Sequence, residues 1–318
     1  MRRRWLVLAL MLATAAALVW AIFRGVDVDG VLAALRGASV PALALLVVFS
    51  TAIWLVMPTL RWSAVLQVLG VSVSFRQLLR VRVGAQPLKL VVPLRGGEAV
   101  RALWLRKRAG TPLAVGLASI VFDMGLVALG QLGLATVALA AVTVGGGPPA
   151  ALVVASGMLV LAAVGLGSSS AQALGLRLVG AASGRLADRL RPVVTAVAAC
   201  TALSKARLVA LTLATELPEI VSLWAAFQVV GADISLVAVA KGLPFVIAAG
   251  LLPISVGGFG TREYAITAVF AGLASPEALV AGALVFSAVE FALPAVLGLV
   301  ATASVLADLA AEDEQRAG

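Results

Sequence analysis

Six long apolar stretches constrain this chain more than any other feature: Trp5 to Phe23, Val40 to Met57, Leu113 to Val144, Ala150 to Leu166, Leu208 to Val230 and Ala278 to Leu306. Each approaches or exceeds the ~20 residues that carry an α-helix across the hydrocarbon core of a bilayer. With no water at that depth, every backbone N–H and C=O in such a stretch must be satisfied within the segment, so the expected structure is helical. The chain is 62% hydrophobic and 12% charged, against about 25% charged in soluble domains. No single water-soluble core hides that much apolar surface. The expected fold class is therefore an all-α integral membrane protein, and a soluble enzyme, a nucleic-acid-binding module and a disordered chain are excluded. The stretch after the initial MRRR is longer than a signal-peptide core and lacks a small-x-small cleavage site, so it reads as a retained helix.

Chemistry is narrowed as sharply. The chain has no histidine, and Cys200 is its single cysteine. That removes histidine-based catalytic triads, the usual zinc, haem and iron–sulfur ligand sets, and an intrachain disulfide. No G-x-x-x-x-G-K-[ST] phosphate loop occurs. We expect no cofactor, no metal and no enzyme activity.

Two further apolar segments, around Gly84 to Leu94 and Ile234 to Pro253, are interrupted by Pro87, Pro93, Pro244, Gly250 and Pro253. Such interruptions are tolerated at membrane depth only where protein or a polar cavity surrounds them, so both segments read as re-entrant or discontinuous helices. The tract Gln172 to Arg207, with Arg177, Arg185, Arg189 and Arg191 among alanines and leucines, reads as an interfacial amphipathic connector. Of the 24 lysines and arginines, 20 fall in residues 1–4, 58–112, 168–207 and 307–318. The positive-inside rule then places both termini in the cytoplasm of a bacterial cell, beneath its inner membrane. The net charge of +9 reads as attraction to anionic lipid on that face.

Four acids fall inside the spans: Asp123, Glu216, Glu219 and Glu290. No lysine or arginine does so on this reading. A carboxylate at mid-membrane costs a few kcal/mol, which makes each one a candidate buried charge or proton relay. Glu216 and Glu219 flank Pro218, which frees a backbone carbonyl and loosens the helix. Their expected salt-bridge partners are Arg95, Arg262 or Lys241.

The chain also repeats itself. LQVLGVSVS (Leu66 to Ser74) returns as FQVVGADIS (Phe227 to Ser235), VVPLRGGE (Val91 to Glu98) as LLPISVGG (Leu251 to Gly258), and TPLAVGLASIVF (Thr111 to Phe122) as SPEALVAGALVF (Ser275 to Phe286). The respective offsets are 161, 160 and 164. We divide the single membrane domain, residues 1–318, into an extra N-terminal helix (5–23), repeat one (40–144), a connecting helix and interfacial segment (150–207) and repeat two (208–306). In the expected topology the two repeats lie in opposite orientations, a construction that places a transporter's substrate between its halves.

The broken segments end in matching charged bends. The first runs Pro93-Leu94-Arg95-Gly96-Gly97-Glu98-Ala99-Val100-Arg101. Its glycines permit tight turns, Glu98 and Arg101 share a helix face, and Arg95 could grip a phosphate with two hydrogen bonds. The second runs Pro253-Ile254-Ser255-Val256-Gly257-Gly258-Phe259-Gly260-Thr261-Arg262-Glu263, with four glycine or serine turn-formers ahead of adjacent opposite charges.

The pair of patterns P-x-R-x-G-E-x-x-R and P-x-S-x-G-G-x-G-x-R-E resembles the lysylphosphatidylglycerol synthase transmembrane-region family, flippase-like domains that also form the membrane half of the multiple peptide resistance factor. The resemblance covers about residues 5 to 306. It implies movement of a phospholipid or a polyprenyl-type amphiphile between leaflets, with anionic membrane lipid as the partner and no nucleic acid. By the same resemblance Arg95, Glu98, Arg101, Arg262 and Glu263 would line the headgroup path, with Ser255, Gly257 and Gly258 beside them. With only a short tail after Leu306, the aminoacyl-transferase domain of the larger homologues is expected to be absent and the chain is not expected to make aminoacylated lipid. Two other readings stand beside translocation. One is a non-transporting subunit that presents lipid to a partner membrane enzyme such as a glycosyltransferase. The other is a proton-coupled exporter of a small amphiphile using Glu216, Glu219 and Glu290. A second copy of the chain is a further expected partner.

Overall fold

The computed structural model describes residues 13–14, 16–91, 97–143, 177, 184–251 and 258–317. The described chain is helical throughout, with α1 (Val28–Arg36), α2 (Val40–Val68), α3 (Phe75–Gly84), α4 (Gln86–Val91), α5 (Glu98–Ala109), α6 (Leu113–Thr143), α7 (Gly184–Ala199), α8 (Ala202–Val229), α9 (Leu236–Leu251), α10 (Thr261–Val269) and α11 (Pro276–Ser287). A π-helical turn, Ala288–Ala292, joins α11 to α12 (Leu293–Ala317). Polar caps set the starts of these apolar helices. Ser39 Oγ accepts from the Ala42 N–H before α2, Thr201 Oγ1 from Ser204 before α8, and Ser275 Oγ from Ala278 before α11. Each cap satisfies one of the N–H groups that a helix start leaves without an intrahelical partner.

Four described segments are long and apolar enough to cross a membrane: Val40–Val68, Leu113–Gln131, Ala202–Val229 and Pro276–Ala310. They coincide with four of the six expected spans. Ala150 to Leu166 lies outside the described residues, and of Trp5 to Phe23 only residues 13–14 and 16–23 are described, as helix. One expected boundary is corrected. The second span does not stop at Met57; α2 continues to Val68 and so carries Arg61 within it. The expectation that no basic residue lies in a span therefore fails. The helix passes Arg61 because the residues beyond it, Trp62, Ala64, Val65 and Leu66, are buried apolar side chains.

Turn geometry follows the sequence offset of 161. At the end of α2, Gly70 N–H donates to the Gln67 carbonyl and Val71 N–H to the Leu66 carbonyl; at the end of α8, Gly231 donates to Gln228 and Ala232 to Phe227. Both are Schellman caps, and both place glycine in the left-handed region, at φ 74° for Gly70 and 75° for Gly231. Pro58 and Pro218 sit inside α2 and α8, the most extensively paired helices of the fold. Of the expected broken segments, Gly84 to Leu94 is described as far as Val91, from the last residue of α3 through α4, and Ile234 to Pro253 as far as Leu251, the end of α9. Residues 92–96 and 252–257, which hold Arg95, Ser255 and Gly257, lie outside the described residues.

Packing divides the interior into apolar clusters around a polar centre. Phe227 and Phe270 meet edge to face at 5.3 Å between centroids within the largest cluster, while Trp62, Leu66, Leu78, Trp104 and Val305 build a smaller one. The outward surface is equally apolar, with Val40, Leu45 and Val48 of α2 and Val296, Leu299 and Val300 of α12 exposed. Helix α12 lies close against α3 and α4 through glycine. A Cβ on Gly298 would stand 2.6 Å from the Val83 carbonyl oxygen, and one on Gly84 would stand 2.8 Å from Val305 Cγ2. In lipid, where apolar burial gives little drive to helix association, such small-residue contacts supply the packing. Gly298→Val is expected to lower the unfolding free energy in detergent by about 1–3 kcal/mol through overpacking. Gly125→Ala, at a position with no atom within 4 Å of the new Cβ, is expected to be neutral or stabilising by up to ~1 kcal/mol. Thermal unfolding of both variants reads the contrast.

Candidate functional site

The charged residues buried in the bundle meet in one network. Arg61, on α2, gives its Nε to Asp123 Oδ1 at 2.8 Å and its Nη1 to Glu216 Oε1 at 3.2 Å, which ties α2 to α6 and α8. Arg101, on α5, gives Nη1 to Glu98 Oε2 at 2.6 Å and Nη2 to Asp123 Oδ2 at 3.3 Å. Asp123 thus joins two guanidiniums, one through each oxygen. Both arginines are 3% exposed. The second oxygen of Glu216 accepts from Gln131 Nε2, one helix away on α6. Removing any one member of such a buried ionic set leaves an uncompensated charge, a loss of about 3–5 kcal/mol.

Aromatic faces hold the same cations. The Arg101 guanidinium lies 4.0 Å from the ring centroid of Trp62, whose Nε1 is fixed by a 3.2 Å hydrogen bond to Ser119 Oγ. Arg262, at the start of α10, lies 3.4 Å from the ring centroid of Phe291. Gly258, at φ 81°, keeps the other side clear, because a Cβ there would stand 2.8 Å from Arg262 Nη2. Arg82 answers a need created by proline. Pro58 has no N–H for the carbonyl four residues earlier, that of Trp54, and Arg82 Nη1 donates to this carbonyl at 2.6 Å while stacking on the Trp54 ring.

The sequence-derived candidates divide accordingly. Glu98 pairs with Arg101, as their spacing suggested, and Asp123 and Glu216 come together around Arg61. The partners expected for Glu216, namely Arg95, Arg262 or Lys241, are replaced by Arg61 and Gln131. Glu263 serves the backbone: Oε2 accepts the Gly260 N–H at 2.6 Å and Oε1 accepts the Ser287 hydroxyl, so it caps α10. Glu219 stands within electrostatic reach of Glu216, Glu290 and Arg262. Glu290, placed by the π-helical turn, lies within hydrogen-bonding reach of Ser50 and Ser222, whose hydroxyls hydrogen-bond to each other at 2.9 Å. Sequence reasoning missed Arg61, Arg82 and Gln131 outright. The usable signal was Pro58 followed three residues later by Arg61 in a run that carries no further charge to Val68.

A second, shallower ionic group closes the end of the bundle. Asp308 of α12 accepts from Arg80 Nη2 at 2.5 Å, Arg108 Nη2 at 2.6 Å and Trp104 Nε1 at 3.0 Å, and Lys107 Nζ donates to the Leu309 carbonyl. Lys107 and Arg108 of the basic run therefore fasten α5 to α12.

Comparison with known families now decides the lineage. The family described as "Lysylphosphatidylglycerol synthase TM region" matches residues 6–298. The chain belongs to that family. No curated protein matches it. The family match takes in every member of the buried network, from Arg61 to Glu290, and stops short of Asp308. Membership makes the chain a membrane protein of a family related to lipid modification or flipping.

For Glu263, a capping role and a headgroup role are separable by experiment. Glu263→Ala removes the acceptor for both the Gly260 N–H and the Ser287 hydroxyl, and is expected to lower stability by about 1–3 kcal/mol. Glu263→Gln keeps a carbonyl oxygen for one of them and is expected to recover most of that loss in thermal unfolding.

Proposed function

We propose that this chain translocates lipid across the bacterial inner membrane, carrying the headgroup of a phospholipid or polyprenyl-type amphiphile between two inverted repeats while the tails remain in the bilayer. The observation that carries the reading is the pair Arg101 and Arg262. They stand 161 residues apart, within the range of 160 to 164 spanned by the offsets of the sequence repeat. Each heads a short helix beyond a Pro/Gly bend, and each guanidinium lies on an aromatic face, Trp62 or Phe291. Stacking fixes the direction of a planar guanidinium, whose parallel N–H donors suit a phosphate; those of Arg101 are held by Glu98 and Asp123, so a headgroup phosphate bound there takes the place of a carboxylate.

The surroundings suit the same task. A bundle whose outer face is apolar and whose centre is ionic is the arrangement that lets a polar headgroup pass while its chains stay outside. Glycine at 250 and 258 keeps backbone, not side chain, beside the Arg262 guanidinium. The fold repeats the same cap and the same internal proline in α2 and α8, which supports two halves built on one plan. Placed in opposite orientations, such halves exchange access to a shared central site by rocking against each other.

The test is reconstitution in liposomes with lipids labelled on the headgroup, followed by quenching from outside. At least one anionic headgroup class is expected to cross faster than in empty vesicles. Arg262→Ala is expected to slow it about tenfold, the equivalent of one charge-assisted hydrogen bond of roughly 1.5 kcal/mol. Leu45→Ala, on the outer face, is expected to leave the rate unchanged. Equal rates with and without protein for every class would sink the proposal.

A further inference from the structure

In number the buried charges of the bundle balance, with Arg61, Arg82, Arg101 and Arg262 against Glu98, Asp123, Glu216 and Glu263. In contact they do not. Glu98 is held by Arg101, Asp123 by Arg61 and Arg101, and Glu216 by Arg61 and Gln131, while Glu263 caps α10. None of the ion pairs among the described residues reaches Arg82, and the residues outside the description include no aspartate or glutamate. Yet Arg82 is only 6% exposed, and it lies deep. Its Nη1 donates to the carbonyl of Trp54, the fifteenth of the 29 residues of α2, about 21 Å along the helix from either end. The guanidinium is thus held near mid-membrane, where cations are rare and mark ligand or ion pathways.

The edge of Arg82 left over is the one that matters for an oxyanion. Nε and Nη2 present two parallel N–H groups to two oxygens side by side. Among the described residues its one hydrogen bond leaves through Nη1, so this edge is free. Nor is it sealed: Arg101 Nε is buried without a partner, whereas neither Arg82 Nε nor Arg82 Nη2 is, so both border open space. Trp54 fixes the plane of the fork, its ring centroid 4.8 Å from the guanidinium carbon. Proline alone does not account for the arginine. At the offset of 160, Pro58 corresponds to Pro218 and Arg82 to Gly242, so the second half meets the same break in its helix with no arginine at the matching place. The chemistry of the fork selects its occupant. A chloride has no second oxygen, and the buried carboxylates are engaged elsewhere. A phosphodiester has two free oxygens, and its tails suit the apolar outer face of α2, where Val40, Leu45 and Val48 are exposed. Eight residues beyond Trp54, about 12 Å along α2, Trp62 carries Arg101 in the same stacked manner.

We propose that Arg82 is a mid-membrane binding site for the phosphate of a phospholipid, which it takes through Nε and Nη2 while Nη1 stays on the Trp54 carbonyl. The site stands by itself; that it is a step in lipid movement rests on the translocation reading. At Arg101 a phosphate has to displace Glu98 or Asp123, whereas at Arg82 it displaces no carboxylate. Arg82 is accordingly the first guanidinium to be occupied, and Arg101 the next along α2.

Calorimetric titration of the whole chain in detergent reads the site, with dihexanoylphosphatidylglycerol, dihexanoylglycerol and inorganic phosphate as the three probes. The phospholipid is expected to bind and the phosphate-free dihexanoylglycerol is not. Arg82→Gln keeps a donor for the Trp54 carbonyl but loses the cation and the fork. It is expected to raise the dissociation constant about ten- to hundredfold, the equivalent of one charge-assisted hydrogen bond, with thermal unfolding close to the parent's. Arg76→Gln, at an exposed position on the same helix, should bind like the parent. Where Arg82→Gln folds poorly, Arg82→Lys keeps both charge and donor without the parallel fork and is expected to weaken binding about tenfold. Parent-like affinity in whichever of the two variants folds, or equal binding of dihexanoylglycerol, would overturn the site. Inorganic phosphate that binds as tightly as the phospholipid would overturn the lipid assignment. Site and translocation fail separately. Phospholipid binding that depends on Arg82 without lipid movement in liposomes retires translocation and leaves the site, whereas lipid movement that Arg82→Gln does not slow retires the site's part in it.

Discussion

Arg61 has to be neutralised, and the way this happens organises the bundle. A guanidinium within an apolar helix carries a desolvation penalty that only close, well-directed anions offset. Asp123 and Glu216 supply them from α6 and α8, and Asp123 then reaches Arg101 on α5. Four helices are thereby held at the separation that three hydrogen-bonded ion pairs require. Apolar side chains alone would not set that spacing in lipid, where one leucine face slides on another with little change in energy.

Backbone accounting makes the same point at smaller scale. Pro58 leaves the Trp54 carbonyl without a helical donor, and Arg82 from α3 supplies one. Pro294 follows the π-helical turn that sets Glu290 beside Ser50 and Ser222. In each case an irregularity in an otherwise regular helix ends in a polar side chain directed inward. π-Turns and proline kinks of this type gather at functional sites because they expose backbone and redirect side chains at little length.

Much of this was legible in the residues. The apolar stretches marked four described spans, the acids Asp123 and Glu216 were singled out by depth, Glu98 and Arg101 by their spacing of three, and the two charged bends pointed to the family. What failed has a common cause. Hydropathy reasoning closes a span at its first charge, so Arg61 was assigned to a loop and the network lost its central cation. Partner choice is a property of helix packing, which is why Glu216 was matched with Arg95, Arg262 or Lys241 when its true donors, Arg61 and Gln131, come from helices far away in sequence. Glu263 enters the headgroup path through the family resemblance, and its place three residues after Gly260 is also where a capping carboxylate belongs. The close approaches of Gly84 and Gly298 to their neighbours carry no local signature at all.

The central claim is that Arg61 and its carboxylates act as one unit. A double-mutant cycle on Arg61→Met and Glu216→Leu, read as unfolding free energy in detergent, tests it most directly. Each single change is expected to destabilise by about 3–5 kcal/mol. The double variant should lose less than the sum of the two, by at least roughly 1 kcal/mol. Strictly additive effects, or single variants within about 0.5 kcal/mol of the parent as for surface positions, would contradict the account.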